Sequence, residues 1–248
     1  MATYGIEAIR HFGNARAHDV STAVDLVYTF DRSDGFDAVL SASGHDKVFK
    51  RADQDCWELD LRDDDLHGGD AAGADGVDIF WIETHGNHEP DGQARLLFDT
   101  PHENWRTYSG TWQLGETRNA EWIMAFSCET ATEPFALWNI FAGLHLFCGA
   151  YGTMLDGLVT EECGADVAAH LTDGDTVCDA WIYGVSDWSE NNNHPIVIGP
   201  GTAETWNGGE IDWASSSLDI DHLPGHGPVS ESLPPSRQAC LLWRWVEG

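Results

Sequence analysis

Residues 77–86 read VDIFWIETHG, and residues 120–128 read AEWIMAFSC. Both are short runs rich in β-branched, aromatic and other apolar residues, which is typical of buried strands. His85 follows the apolar part of the first run and Cys128 follows that of the second, and both side chains can react. If the strands lie side by side and parallel, both side chains emerge where open α/β sheets place their active sites. This pair of runs decides the predicted fold and the predicted site.

The rest of the chain alternates apolar runs with amphipathic segments. We predict further strands at 144–151 and 194–198, a strand or helix at 238–246, and helices at 18–30, 133–142, 161–171 and 176–188. This alternation predicts an α/β fold, a three-layer sandwich in which helices flank both faces of a largely parallel central sheet. No repeat or low-complexity linker divides the chain. We therefore expect a single domain over 1–248, the alternative being a C-terminal extension over about 200–248.

The charge of the chain is strongly negative, with 42 acidic residues against 12 lysines and arginines and a formal net charge of −30. Such a surface repels nucleic acid and anionic membranes, so neither is an expected partner. The acidic residues are spread along the whole chain, which favours adaptation to a salt-rich cytoplasm over a local acidic interaction surface.

Two further features favour the cytoplasm. The first ten residues lack the basic and apolar regions of a signal peptide, and no apolar run is long enough to cross a membrane. The six cysteines contain no CxxC pair, so zinc-ribbon and thioredoxin-type motifs are absent from the sequence. Without an export signal, we expect these thiols to be reduced.

The ends of the two strands supply the groups that nucleophilic catalysis needs. A cysteine attacks as the thiolate, and His85 is placed to act as the base for Cys128. A developing oxyanion also needs backbone donors. Gly86 has no side chain, so its N–H can approach a substrate closely, and the N–H of Cys128 is the natural second donor.

An apolar strand ending in His-Gly, followed some forty residues later by one ending in a small residue and Cys, resembles the caspase-like peptidases. That clan includes caspases, legumains, gingipains and separases. The matched region is roughly 77–151, and the residue before the nucleophile is Ser127 where the clan usually has Ala. The sequence also looks like an uncharacterised archaeal or bacterial family of this general type.

The resemblance implies a caspase-like α/β fold and a cysteine endopeptidase that forms a thioester acyl-enzyme with peptide or protein substrates. His85 would be the general base and acid, Cys128 the nucleophile, and Gly86 an oxyanion-hole donor. In such folds the loop after the strand that follows the nucleophile, here the strand predicted at 144–151, helps to form the substrate pocket. Here that loop contains Asp156, which could pair with an Arg or Lys of the substrate. No cofactor is implied, and the oligomeric state stays open.

Two other functions compete with this interpretation. Glu83, His85 and His88 cluster in sequence, and their residue types fit a metal-dependent hydrolase, although an HExxH motif is absent. Alternatively, the chain is a non-catalytic binding module on a degenerate peptidase fold, with tryptophan side chains lining a recognition groove. A buried Cys128, or a His85 that points away from it, would favour the binding module.

Salt adaptation makes the first prediction. Raising KCl to molar concentration should raise the thermal unfolding midpoint, because the Debye length falls to roughly 3 Å at 1 M and screens the repulsion between acidic side chains. Circular dichroism melting curves over a KCl series measure this. A midpoint that does not rise with salt contradicts the adaptation.

Overall fold

The computed structural model describes residues 1–115, 120–186, 193–207 and 210–246. Its strands are β1 (Thr3–Ala8), β2 (Asp46–Ala52), β3 (Ile79–Glu83), β4 (Gly86–His88), β5 (Ala94–Leu97), β6 (Arg106–Tyr108), β7 (Trp122–Phe126), β8 (Leu146–Ala150), β9 (Pro195–Asn207), β10 (Glu210–Ala214) and β11 (Cys240–Trp245). Its α-helices are α1 (Gly13–Ala17), α2 (Thr29–Ala42), α3 (Cys163–Asp173), α4 (Val177–Ser186) and α5 (Ser216–Ile220). Short 3₁₀ helices span Asp53–Asp55, Glu58–Leu61, Asp64–Leu66, Asp70–Ala72, Ala74–Gly76, Ser109–Thr111, Pro134–Ile140, Leu158–Thr160 and Pro235–Arg237.

Eight of the described strands form the main sheet, in the order β10-β9-β8-β7-β3-β1-β2, with β11 also paired to β9. The five strands from β8 to β2 run parallel to one another, whereas β9 is antiparallel to its three partners. Strands β3 and β7 lie at the centre and are buried at every position, as expected for parallel strands covered on both faces. The predicted α/β fold with a largely parallel sheet is confirmed.

Helices lie on both faces of the sheet, but the two covering layers differ. On one face, α2, α3 and α4 pack over the sheet, and Phe36 of α2 stacks on Trp81 of β3 with ring centroids 4.6 Å apart. The other face is covered by short 3₁₀ helices and a small antiparallel sheet, β4-β5-β6, which contribute buried residues such as Leu137 and Leu96. Among the described residues, no helix is both long and apolar enough to span a bilayer.

The helix predicted at 18–30 is wrong, since the first long helix is α2, Thr29–Ala42. The sequence does not indicate α2, because of the composition of the buried face of that helix. Residues Thr29, Arg32, Ser33, Phe36 and Leu40 are buried at helical spacing, but three of the five are polar. A buried face of this kind gives no apolar stripe from which a helix could be predicted.

The other predicted elements differ from the structure mainly at their ends. The segment predicted as a helix at 133–142 is a 3₁₀ helix, Pro134–Ile140. Helix α4 ends at Ser186, and residues 187–188 of its predicted range lie outside the described residues. The segment 238–246 contains a strand, β11, and both β10 and β11 pair with β9 of the main sheet.

The contact between α2 and α3 makes a prediction about stability. A Cβ atom on Gly164 would lie 2.1 Å from the carbonyl oxygen of Arg32. Gly164→Ala should therefore lower the free energy of unfolding by about 1–3 kcal/mol, because the two helix backbones must separate. Denaturant titration measures the change. Gly13→Ala is the matched control, since its Cβ would meet no atom within 4 Å, and equal midpoints for the two variants would contradict the prediction.

Candidate active site

His85 and Cys128 lie at the same level of the sheet. Strands β3 and β7 pair in parallel, and their last residues, Glu83 and Phe126, lie opposite each other. His85 and Cys128 each come two residues after these strand ends. Both line one pocket of about 210 Å³, and both are half-buried. The parallel strand ends thus bring together the two residues that the sequence predicts as a pair.

A backbone carbonyl orients His85. Its Nε2 lies 2.7 Å from the carbonyl oxygen of Val24, and because a carbonyl can only accept, Nε2 must carry the proton. In the neutral ring, Nδ1 is then the nitrogen that can accept a proton. The ring of Phe12 packs against the imidazole at a centroid distance of 4.7 Å. Val24 was not predicted as a site residue, since a carbonyl contact leaves no signal in residue type.

The sulfur of Cys128 is held by the backbone N–H and carbonyl of one residue, Met154. It accepts a hydrogen bond from the N–H of Met154 at 3.3 Å and donates one to the carbonyl of the same residue at 3.5 Å. Burial raises the pKa of the Cys128 thiol above its ordinary value, and the neighbouring Glu129 carboxylate raises it further. The resting group is therefore a thiol, so attack requires a base to remove its proton.

The backbone turns sharply after Cys128. Glu129 has a φ of 53°, in the left-handed region that residues other than glycine seldom adopt. Its N–H donates to the carbonyl of Gly152 at 2.8 Å, which helps to hold this conformation. Strained residues of this kind concentrate at functional sites.

Gly86 lies against the backbone of Cys128, and a Cβ atom there would lie 2.2 Å from the carbonyl oxygen of Cys128. In the β4–β5 ladder, Leu97 donates to His85, and Glu89 donates to Gln93. Hydrogen-bonded pairs alternate in antiparallel ladders, so Gly86 is at a non-bonded position and its N–H points away from β5. Within the described part of the chain, the N–H of Cys128 donates to no other residue. These are the two donors predicted for an oxyanion.

A buried ion cluster forms the floor of the pocket. The guanidinium of Arg32 binds the carboxylate of Glu83, donates to Asp156 Oδ1 at 2.9 Å, and donates to Thr160 Oγ1 at 2.9 Å. Arg32 and Glu83 are almost fully buried. Burial raises the pKa of Glu83 to about 7, against the opposing effect of Arg32.

Asp156 lies in the loop after β8 and lines the pocket, as predicted. Its contacts, however, are with other groups of the protein. One carboxylate oxygen accepts from Arg32 and from the N–H of Tyr28, and the other accepts from the N–H of Val27. Its charge is therefore already paired with Arg32. This corrects the role predicted for Asp156, because a carboxylate bound in this way does not present a free charge to a basic substrate residue.

The residues of the predicted metal site do not converge. Glu83 binds Arg32, His85 binds the carbonyl of Val24, and His88 Nδ1 lies 3.2 Å from the carboxylate of Glu129. Over the described ranges, no three His, Cys, Asp or Glu side chains are grouped closely enough to hold a metal ion. The metal-dependent alternative through Glu83, His85 and His88 is therefore wrong for this geometry.

A family model described as "Domain of unknown function (DUF6345)" matches residues 6–247. No curated protein matches the chain. Among solved structures, the Drosophila initiator caspase Dronc is similar with a TM-score of 0.43 and 13% sequence identity, over 75% of this chain and 72% of that chain. Caspase-1 from Spodoptera frugiperda gives a TM-score of 0.40 and 13% identity, over 74% of this chain and 76% of that chain.

The state of Cys128 makes a prediction about alkylation. Without substrate, its reaction with iodoacetamide should be slow at neutral pH and accelerate as the pH rises beyond 9, because burial raises the thiol pKa above that value and the thiolate is the reactive form. Intact-protein mass spectrometry in a Cys240→Ala background measures the rate, since Cys240 is the other half-buried cysteine. A rate that is already maximal at neutral pH would contradict a resting thiol.

Proposed function

The chain belongs to the DUF6345 family, and on the geometry of its site we propose that it is a cysteine peptidase. The observation that carries the proposal is the shared pocket of His85 and Cys128, in which the carbonyl of Val24 orients the imidazole and beside which Gly86 lies against the backbone of Cys128. Nucleophile, oriented base and oxyanion donors are the three parts that acyl transfer requires.

The proposed reaction proceeds in two steps. Nδ1 of His85 takes the proton of the Cys128 thiol, and the sulfur attacks the carbonyl carbon of the scissile peptide bond. The N–H groups of Gly86 and Cys128 stabilise the oxyanion. The C–N bond then breaks, the amine leaves with the proton from His85, and a thioester remains. Water, deprotonated by His85, hydrolyses the thioester and restores the thiol.

The pocket beside Cys128 supports a preference for apolar residues before the scissile bond. The apolar residues that line it are Val24, Leu26, Phe126, Met154 and Leu155. The charged groups on its floor bind one another, so burying a charged substrate side chain there would lack a free partner. We therefore assign this pocket to an uncharged, apolar side chain.

The setting of this activity is also part of the proposal. A net charge of −30 supports a salt-rich cytoplasm, in which acidic surfaces stay hydrated and their repulsion is screened. The substrates we propose are peptide or protein chains.

The proposal is tested by peptidyl electrophiles whose terminal residue is leucine, lysine or glutamate, followed by intact mass spectrometry. The leucine reagent should label the protein fastest. Labelling should disappear in Cys128→Ala and slow by roughly 10²-fold or more in His85→Ala, because the base is lost. Cys240→Ala is the matched control and should be labelled like the unmodified protein. Labelling that survives Cys128→Ala would refute the nucleophile, and no labelling by any reagent would favour a binding module.

A further inference from the structure

A second pocket of about 280 Å³ lies beside His85 and Gly86. The polar residues that line it are Arg95, Arg106, Ser21, Thr22 and Asn87, and we call it the arginine pocket. No aspartate or glutamate is among the described residues that line it. A pocket lined by two arginines and no described carboxylate contrasts with a chain of 42 acidic and 12 basic residues.

The two arginines differ in how far their charges are neutralised. Arg95 donates to the carboxylate of Glu89 at 2.7 Å. Arg106 donates to the carbonyl of Val20 and forms no ion pair with any described carboxylate. A guanidinium has five N–H donors in a planar fork that matches a carboxylate. Arg106 therefore keeps both charge and donors for a group that enters the pocket.

The position of the arginine pocket relates it to one half of the substrate. In the proposed reaction the acyl half stays on Cys128, and the amine half leaves after taking a proton from His85. The apolar pocket is lined by Cys128 and His85, whereas the arginine pocket is lined by His85 and Gly86 but not by Cys128. The histidine side of the site is thus the side of the leaving amine.

We propose that the arginine pocket binds a carboxylate on the leaving half of the peptide, C-terminal to the scissile bond. The carboxylate belongs either to an aspartate or glutamate side chain or to the C-terminus of the peptide, since both present the same group. This inference rests on the proposed peptidase function. It gives the site two unlike subsites, an apolar one before the scissile bond and a cationic one after it.

Arg106 also has a structural contact that the test must separate from binding. It holds the carbonyl of Val20, in the segment that carries Val24, the residue that orients His85. Loss of Arg106 could therefore slow every substrate equally. A role in carboxylate binding changes the ratio between an acidic peptide and its neutral isostere, which a purely structural role leaves unchanged.

The first experiment measures binding to the Cys128→Ala protein by fluorescence anisotropy, so it does not require catalysis. The probes are fluorescein-labelled peptides with leucine followed by Glu-Glu or Gln-Gln, each with a free or an amidated C-terminus. An acidic peptide should bind at least about tenfold more tightly than the neutral one, because hydrogen bonds to charged groups are strong. The overall charge of −30 repels acidic peptides, so this preference cannot come from bulk electrostatics.

Substitutions identify the arginine that is responsible for the preference for acidic peptides. Arg106→Gln should reduce the binding ratio to about one or below, Arg95→Gln should reduce it less because Arg95 is already paired, and Arg237→Gln, an exposed control, should leave it unchanged. A preference that follows the glutamates assigns the carboxylate to a side chain, and one that follows the free terminus assigns it to the C-terminus. Equal binding of acidic and neutral peptides, or an unchanged ratio in Arg106→Gln, would overturn the proposal.

The second experiment tests the side of the scissile bond. Internally quenched peptides carry the glutamates either before or after the leucine, and the active protein should cleave the second set faster. Faster cleavage of the first set would overturn the assignment to the leaving half. If the electrophiles fail to label Cys128 while the acidic peptides still bind through Arg106, the peptidase function and the leaving-half role fail, and the carboxylate site alone remains.

Discussion

The site depends on the ion pairs that the buried guanidinium of Arg32 forms with Glu83 and Asp156. The guanidinium joins helix α2, the end of β3 through Glu83, and the loop after β8 through Asp156. A charge in this position is stable only while its partners stay in place, so these three elements are fixed relative to one another. Asp156 extends the link by binding the N–H groups of Val27 and Tyr28. The segment that holds His85 through Val24 is thereby anchored to the same cluster.

The sequence could predict the central part of this arrangement because apolar strands carry their signal locally. Short runs of mainly apolar residues precede His85 and Cys128, and a run of this kind predicts a buried strand without knowledge of the tertiary contacts. Helix α2 could not be found in this way, since Arg32 occupies a position on its buried face. Contacts made by backbone groups, such as the carbonyl of Val24 or the N–H and carbonyl of Met154, depend on the tertiary fold alone. For the same reason Asp156 could be placed in the pocket, but its internal partner could not be predicted.

His85 separates two environments of opposite character. Cys128 and several apolar residues line one pocket, and two arginines line the other. A substrate that fills both must present an apolar group and a carboxylate at a fixed spacing. Selectivity of that kind comes from two moderate interactions instead of one strong interaction, and it discriminates against peptides that satisfy only one of them.

The buried carboxyl of Glu83 couples the folding of this protein to protons. Its pKa of about 7 in the folded chain lies above the ordinary value of 4.5, so between these two pH values the native state binds more protons than the unfolded state. Its contribution to stability is greatest below the lower value and declines as the pH rises towards the upper one. Refolding in mildly acidic solution is therefore accompanied by proton uptake from the buffer. The calorimetric heat of unfolding then includes the ionisation enthalpy of whichever buffer is chosen.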